Sequence, residues 1–142
     1  MVHWSQELDD DNERLLRLPL RSSEEVAAMV RPFVDSPNAD GPVAAWVLKQ
    51  MASGSSLEEA IAHDEHAYEA LSDPMKTIFL SVYRSLAFVY LATDVLEGVK
   101  FQGKWLDVST AAEQIIRKVD QIAAKEGRNL FRTVEPYEFV DF

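Results

Sequence analysis

The chain has 142 residues, 47% of them hydrophobic and 27% charged, a composition typical of one globular domain rather than of a disordered chain. Its 24 acidic and 14 basic side chains give a formal net charge of −10, which disfavours nonspecific binding to nucleic-acid phosphates. The absence of cysteine excludes disulfide bonds, thiolate metal sites and a cysteine nucleophile.

The N-terminal part of the chain predicts one weak helix and one well-marked helix. Residues 5–18 have a poor apolar stripe. A clearer helix begins at a cap on Ser22 or Ser23, and it ends near Arg31 because Pro32 lacks an N–H and clashes with the preceding turn. The first residues are acidic instead of carrying the basic region of a secretory signal, so we expect a cytoplasmic location.

Residues 42–71 predict two more helices. The first begins near Pro42, runs to about Ala52, and ends at a Gly54 cap; its inner face holds Val43, Trp46, Val47 and Met51. The second opens with the sequence Ser-Leu-Glu-Glu at positions 56–59, which has the pattern of a capping box.

Residues 74–97 predict the longest and most apolar helix, which Gly98 ends. Apolar residues occupy both of its faces, and a helix that is apolar all round is usually the centre of its bundle. The run at 78–93 contains Arg84 and is shorter than the roughly 20 residues that span a bilayer, so we expect no membrane segment.

The last third of the chain predicts a short hairpin, one helix and a tail. Gln102-Gly103 is a hairpin turn, a capping box at 110–113 opens a helix, and Gly127 ends it. The sequence therefore predicts an all-α, compact bundle of five to six helices. Residues 1–127 form the domain, and residues 128–142 are an aromatic and acidic tail that packs on the domain or on a partner.

The charge is unevenly distributed and suggests a protein-binding role. Residues 1–73 hold 15 acidic and 5 basic side chains, whereas residues 74–142 hold 9 of each. An acidic face steers basic partners at long range, although it also serves simply to keep a protein soluble. We expect a non-enzymatic interaction module, an adaptor, inhibitor or immunity-type factor, that binds a basic protein. Its predicted contact residues are Glu58, Glu59, Glu65 and Glu69, with Trp46, Tyr137, Phe139 and Phe142 as apolar anchors.

No motif supports an enzyme or a cofactor. The sequence has no G-x-S-x-G elbow, no phosphate-binding glycine loop and no dinucleotide fingerprint. Lys100, Phe101, Lys104 and Trp105 interleave bases with aromatics, but four such residues are too few for a nucleic-acid groove.

Three other hypotheses stay open. Glu59, His63 and His66 share one helical stripe and suit zinc or another divalent metal, unless they are simply exposed helix polarity. The second hypothesis concerns Arg84, for which three roles are open: a structural ion pair with Asp64, a guanidinium that extends to water, or a place in a cleft that holds an anionic ligand. The third hypothesis is a homo-oligomer whose interface holds Leu80, Phe88 and Leu91.

Overall fold

A computed structural model of the chain describes residues 17–53, 56–91 and 98–133. Within these ranges the protein is mostly helical, as predicted, with two two-stranded sheets. The elements are β1 (Leu20–Arg21), α1 (Ser23–Val30), α2 (Asp40–Ser53), α3 (Leu57–Ala67), α4 (Asp73–Leu91), β2 (Gly98–Phe101), β3 (Lys104–Asp107), α5 (Val108–Glu126) and β4 (Arg132–Thr133). Most of the predicted first helix and the aromatic part of the tail lie outside the described residues.

Helix α1 begins at the predicted cap. The Ser22 hydroxyl accepts a hydrogen bond from the Glu25 N–H at 3.1 Å, and the Glu25 carboxylate accepts one from the Ser22 N–H at 3.3 Å. This reciprocal pair satisfies two N–H groups that the first turn would otherwise leave unbonded. The chain then tightens into a 3₁₀ turn at Arg31–Phe33, which accommodates Pro32 in its first positions.

Helices α2 and α3 begin at side-chain caps. Asn38 Oδ1 accepts a hydrogen bond from the Asp40 N–H at 3.0 Å, so α2 starts two residues before the predicted Pro42. At α3, the Ser56 hydroxyl accepts from the Glu59 N–H at 3.2 Å, as the sequence predicts.

The hairpin is confirmed, and the predicted start of the last helix is wrong. Gln102 and Gly103 both have positive φ, 52° and 81°, which matches the twist of a two-residue hairpin. Gly98 begins β2, and the predicted end of the long helix falls between Leu91 and Gly98, outside the described residues. The cap of α5 is Asp107, whose carboxylate accepts from the Thr110 N–H at 2.9 Å, so the capping box predicted at Thr110 lies inside the first turn.

Helix α4 packs against each of the other four described helices, and most extensively against α5. Its apolar side chains are buried on both faces: Met75, Ile78, Phe79, Leu80, Val82, Leu86 and Leu91. Leu80 and Leu91 are thus covered within the chain, and Phe88 packs half-buried against the same core. Leu80 and Leu91 are therefore not available to the subunit interface suggested by the sequence.

The start of the predicted tail packs on α4. Strand β4 pairs in parallel with β1, and the Arg132 N–H donates to the Pro19 carbonyl at 2.9 Å. The hydroxyls of Ser81 and Ser85, one turn apart on α4, accept hydrogen bonds of 3.2 Å from the N–H groups of Phe131 and Thr133. Of the helices in the described ranges, none is long and apolar enough to cross a bilayer.

Candidate functional site

The predicted acidic side chains of α3 and of the 3₁₀ turn that follows it at Tyr68–Ala70 differ in what they contact. Glu58, Glu65 and Glu69 are exposed, but the Glu65 carboxylate accepts a hydrogen bond of 2.9 Å from the N–H of Gln102 in the hairpin turn. Glu59 forms an ion pair of 2.9 Å with Lys49 of α2. Two of the four predicted contact residues therefore also hold parts of the fold together.

A groove of about 360 Å³ lies between α3 and the hairpin. We call it the α3–hairpin groove, and its lining residues are Glu58, Ile61, Ala62, Glu65, His66, Lys100 and Gly103. Its two carboxylates outnumber the single ammonium group. The groove therefore has an acidic lining with a small apolar floor.

Trp105 does not line this groove but pairs across the hairpin with Lys100, which does, and it is 72% exposed. It lies on the face of the hairpin opposite the buried Val99 and Phe101. The sequence pattern connects Trp105 only with nucleic-acid binding. Its exposure could have been expected from the two-residue turn, because the turn pairs position 105 with 100 and places both on the face opposite the apolar Val99 and Phe101.

Trp46 is not available to a partner. Its side chain is 3% exposed, and its ring lies 5.7 Å, centroid to centroid, from both Phe79 and His63. The anchoring role predicted for Trp46 is therefore wrong, whereas its place on the inner face of α2 is correct. Tyr137, Phe139 and Phe142 lie outside the described residues.

The structure does not assemble Glu59, His63 and His66 into a ligand set. No group of three or more His, Asp or Glu side chains in the described ranges could hold a metal ion. The His63 ring lies against Trp46, and burial lowers the pKa of His63, opposed by the charge of Glu59. His66 lines the α3–hairpin groove instead.

Arg84 pairs with Asp120 of α5, not with Asp64. Its Nε and Nη2 donate to the two Asp120 oxygens at 2.8 and 3.2 Å, and the Arg84 side chain is 2% exposed. Asp64 instead accepts a hydrogen bond from Lys118 of α5 at 2.7 Å and one from the Tyr83 hydroxyl at 3.5 Å. Burial and the Asp64 charge raise the pKa of Tyr83, so this hydroxyl stays a donor.

Arg84 also lines a second, larger cleft of about 640 Å³. We call it the arginine cleft, because Arg17, Arg21, Arg84 and Arg128 contribute to its lining, and Asp120 is the one acidic residue among the described residues that line it. These arginines come from distant parts of the sequence, so no local motif marks the site. Only the spacing of Arg17 and Arg21, four residues apart, is visible in the sequence.

Comparison of the chain with protein-family models, curated proteins and solved structures found no match. The α3–hairpin groove and the arginine cleft are therefore the features from which a function can be inferred.

Proposed function

We propose that this protein is a non-enzymatic interaction module, of the adaptor, inhibitor or immunity type, that binds a basic segment of another protein in the α3–hairpin groove. The observation that carries the proposal is the 72% exposure of Trp105, the cross-strand neighbour of Lys100 in a groove with two lining carboxylates. The proposal keeps the acidic helix predicted from the sequence and replaces Trp46 with Trp105 as the apolar anchor.

Trp105 supplies the apolar contact. A large indole left in water is an unfavourable surface, and tryptophan is among the residues that most often dominate the affinity of an interface. An arginine or lysine of the partner can pack on the face of an indole and gain from the cation–π attraction. The hairpin holds Trp105 rigidly, because Val99 and Phe101 on its other face are buried in the core.

The carboxylates determine which partner charge is accepted. Glu58 lines the groove, Glu69 lies in the 3₁₀ turn Tyr68–Ala70 that follows α3, and neither has a hydrogen bond or ion pair within the described part of the chain. Glu58 and Glu65 outweigh Lys100 in the groove, so a basic segment is attracted and an acidic one is repelled.

The test compares four forms of the protein as baits for proteins in a lysate of the source organism. The forms are the wild type, Trp105→Ala, the double variant Glu58→Gln/Glu69→Gln, and the control Glu24→Gln/Asp35→Asn. The control removes the same charge from exposed residues outside the groove. Glu65 and Glu59 are left unchanged because their replacement would disturb the hairpin turn or the contact with α2.

We expect one basic protein to be retained by the wild type and the control and released by moderate salt. Loss of a tryptophan anchor that the partner covers should lower the affinity at least about tenfold, since such anchors contribute about 2 kcal/mol or more. The Glu58→Gln/Glu69→Gln variant should weaken binding mainly through slower association. Equal retention by all four forms, or no salt-sensitive partner, would refute the proposal.

A further inference from the structure

We propose that the arginine cleft is a binding site for an organic anion, a carboxylate or phosphate group carried on a small apolar body. This site is separate from the α3–hairpin groove, and the inference does not depend on the proposed protein partner. It assigns the anionic-ligand role that the sequence left open for Arg84.

One donor of the buried Arg84 guanidinium has no partner among the described residues. Asp120 engages the Nε and Nη2 of Arg84, but the Nη1 is buried and has no hydrogen-bond partner in the described part of the chain. Buried donors are nearly always paired in native proteins, so an unpaired one points to a group that completes it. The guanidinium presents a planar fork that matches carboxylate and phosphate oxygens.

The described lining is also rich in positive charge. Among the described lining residues four arginines accompany one aspartate, in a protein whose net charge is −10. These arginines have contacts of their own, including the ion pair of Arg21 with Glu25 at 3.3 Å. Arg17 and Arg21 are exposed and Arg84 is buried, so guanidinium groups extend from the solvent into the cleft. A concave site lined mainly by one sign of charge concentrates counter-ions.

Arg128 also lines this cleft, and neighbouring side chains hold its guanidinium in place. Its guanidinium bonds Glu126 at 2.6 Å and Asp73 at 2.9 Å, and it donates to the Thr77 hydroxyl at 3.1 Å. These contacts partly neutralise Arg128 and fix its orientation. We therefore assign direct contact with the anion to Arg84 and assign its capture to Arg17 and Arg21.

The volume of the cleft and the apolar part of its wall favour an organic ligand. Leu18, Leu130 and Phe131 line the cleft beside the arginines, and a volume of about 640 Å³ lies in the range of small-ligand sites. A bare inorganic ion would leave this apolar wall uncovered. The combination selects an anion that carries a hydrophobic group.

The direct test titrates the full chain with phenyl phosphate at constant ionic strength and measures heat release and the shift in melting temperature. Phenol and inorganic phosphate serve as matched probes, since phenol lacks the phosphate group and inorganic phosphate lacks the apolar ring. We expect saturable binding of phenyl phosphate that is tighter than the binding of either probe. Absence of binding at millimolar concentration, or equal binding of phenol, would overturn the inference.

Variants then locate the site. Arg17→Gln/Arg21→Gln should weaken binding about tenfold, because two positive charges that attract the anion into the cleft are lost. The control Arg31→Gln/Arg117→Gln removes the same charge from exposed arginines outside the cleft and should leave the affinity within about twofold, as expected for contacts screened by solvent.

A third variant, Arg84→Lys, keeps the charge and removes the guanidinium fork. It should bind phenyl phosphate more weakly than the wild type, because an ammonium group cannot replace bidentate contacts. Arg17 and Arg21 are exposed, so the double variant decides the question even where Arg84→Lys fails to fold. Identical affinities in the cleft variants and the control would overturn the inference by showing nonspecific ion binding.

Discussion

Lys118 and Asp64 join α5 to α3 by a contact of 2.7 Å between Nζ and Oδ2, although 54 residues separate them. The Asp64 side chain is 3% exposed and the Lys118 side chain 31%. Lys118 also lies 5.8 Å from the ring centroid of Phe101 in the hairpin. One ammonium group thus contacts a buried carboxylate and an aromatic ring from two different elements.

The unequal burial of this pair predicts unequal effects of removing each partner. In Lys118→Met the Asp64 carboxylate stays buried with only the long hydrogen bond from Tyr83, so the free energy of unfolding should fall by about 3–5 kcal/mol. In Asp64→Asn the lysine can reach water, and we expect a loss of about 2 kcal/mol. Urea denaturation measures both variants.

The exposed pair between Arg117 and Glu113 provides the control for this comparison. Arg117→Gln should change the stability by less than about 1 kcal/mol, as is usual for surface ion pairs. A smaller loss for Lys118→Met than for Asp64→Asn would contradict the structural explanation.

His63 should make the stability depend on pH just below neutrality. Burial against Trp46 lowers the pKa of His63 from its ordinary value of 6.5, so the unfolded chain binds a proton there more readily than the folded one. The folded state therefore loses stability as the pH falls below about 6.5 and keeps it above that value. His63→Gln should flatten the dependence of melting temperature on pH in this window, and His66→Gln should retain it. An unchanged slope in His63→Gln would show that other groups cause it.

Substitutions at the start of α5 should show that Asp107, and not Thr110, caps the helix. Asp107→Ala removes the carboxylate that bonds the Thr110 N–H and should lower the free energy of unfolding by about 1 kcal/mol. Hydrogen bonds from the Thr110 side chain and from its backbone N–H lower the pKa of Asp107, so the contribution of this carboxylate is present at neutral pH and is lost as acid protonates it. Thr110→Ala keeps the backbone N–H and should have the smaller effect in thermal denaturation. The opposite order would restore the cap predicted from the sequence.

Gly41 should tolerate no side chain, whereas Gly98 should. A Cβ at Gly41 would lie 2.4 Å from the backbone carbonyl oxygen of Ser36, so the loop before α2 would have to shift. We expect Gly41→Ala to lower the free energy of unfolding by about 2 kcal/mol, at the upper end of the usual range for one substitution. At Gly98 the nearest atom is the Trp105 ring at 3.6 Å, an ordinary contact, so Gly98→Ala should be nearly neutral. Comparable melting temperatures for the two variants would contradict this distinction.

The sequence predicted features that depend on neighbouring residues. The cap at Ser22, the hairpin turn at Gln102-Gly103 and the stop at Gly127 each follow from local backbone geometry. The inner position of Trp46 follows from helical spacing. These features need no knowledge of the tertiary structure.

Contacts between distant segments could not be predicted from the sequence. The pairing of Arg84 with Asp120 could not be distinguished from pairing with Asp64, because both aspartates lie on helices that pack against α4. The arginine cleft combines residues from both ends of the described chain, and only the packed fold brings Arg17 close to Arg128.

The parallel pairing of β1 with β4 has a consequence for the order of folding. It joins Leu20 to Arg132, near opposite ends of the described chain, so closing this contact costs more chain entropy than forming any helix. The pairing should form after α4 and α5 have packed, because its strand β4 is also held by the hydroxyl of Ser85 on α4. The Arg132 amide should accordingly exchange with deuterium before those in the middle of α4, making this two-residue sheet the earliest part of the fold to open.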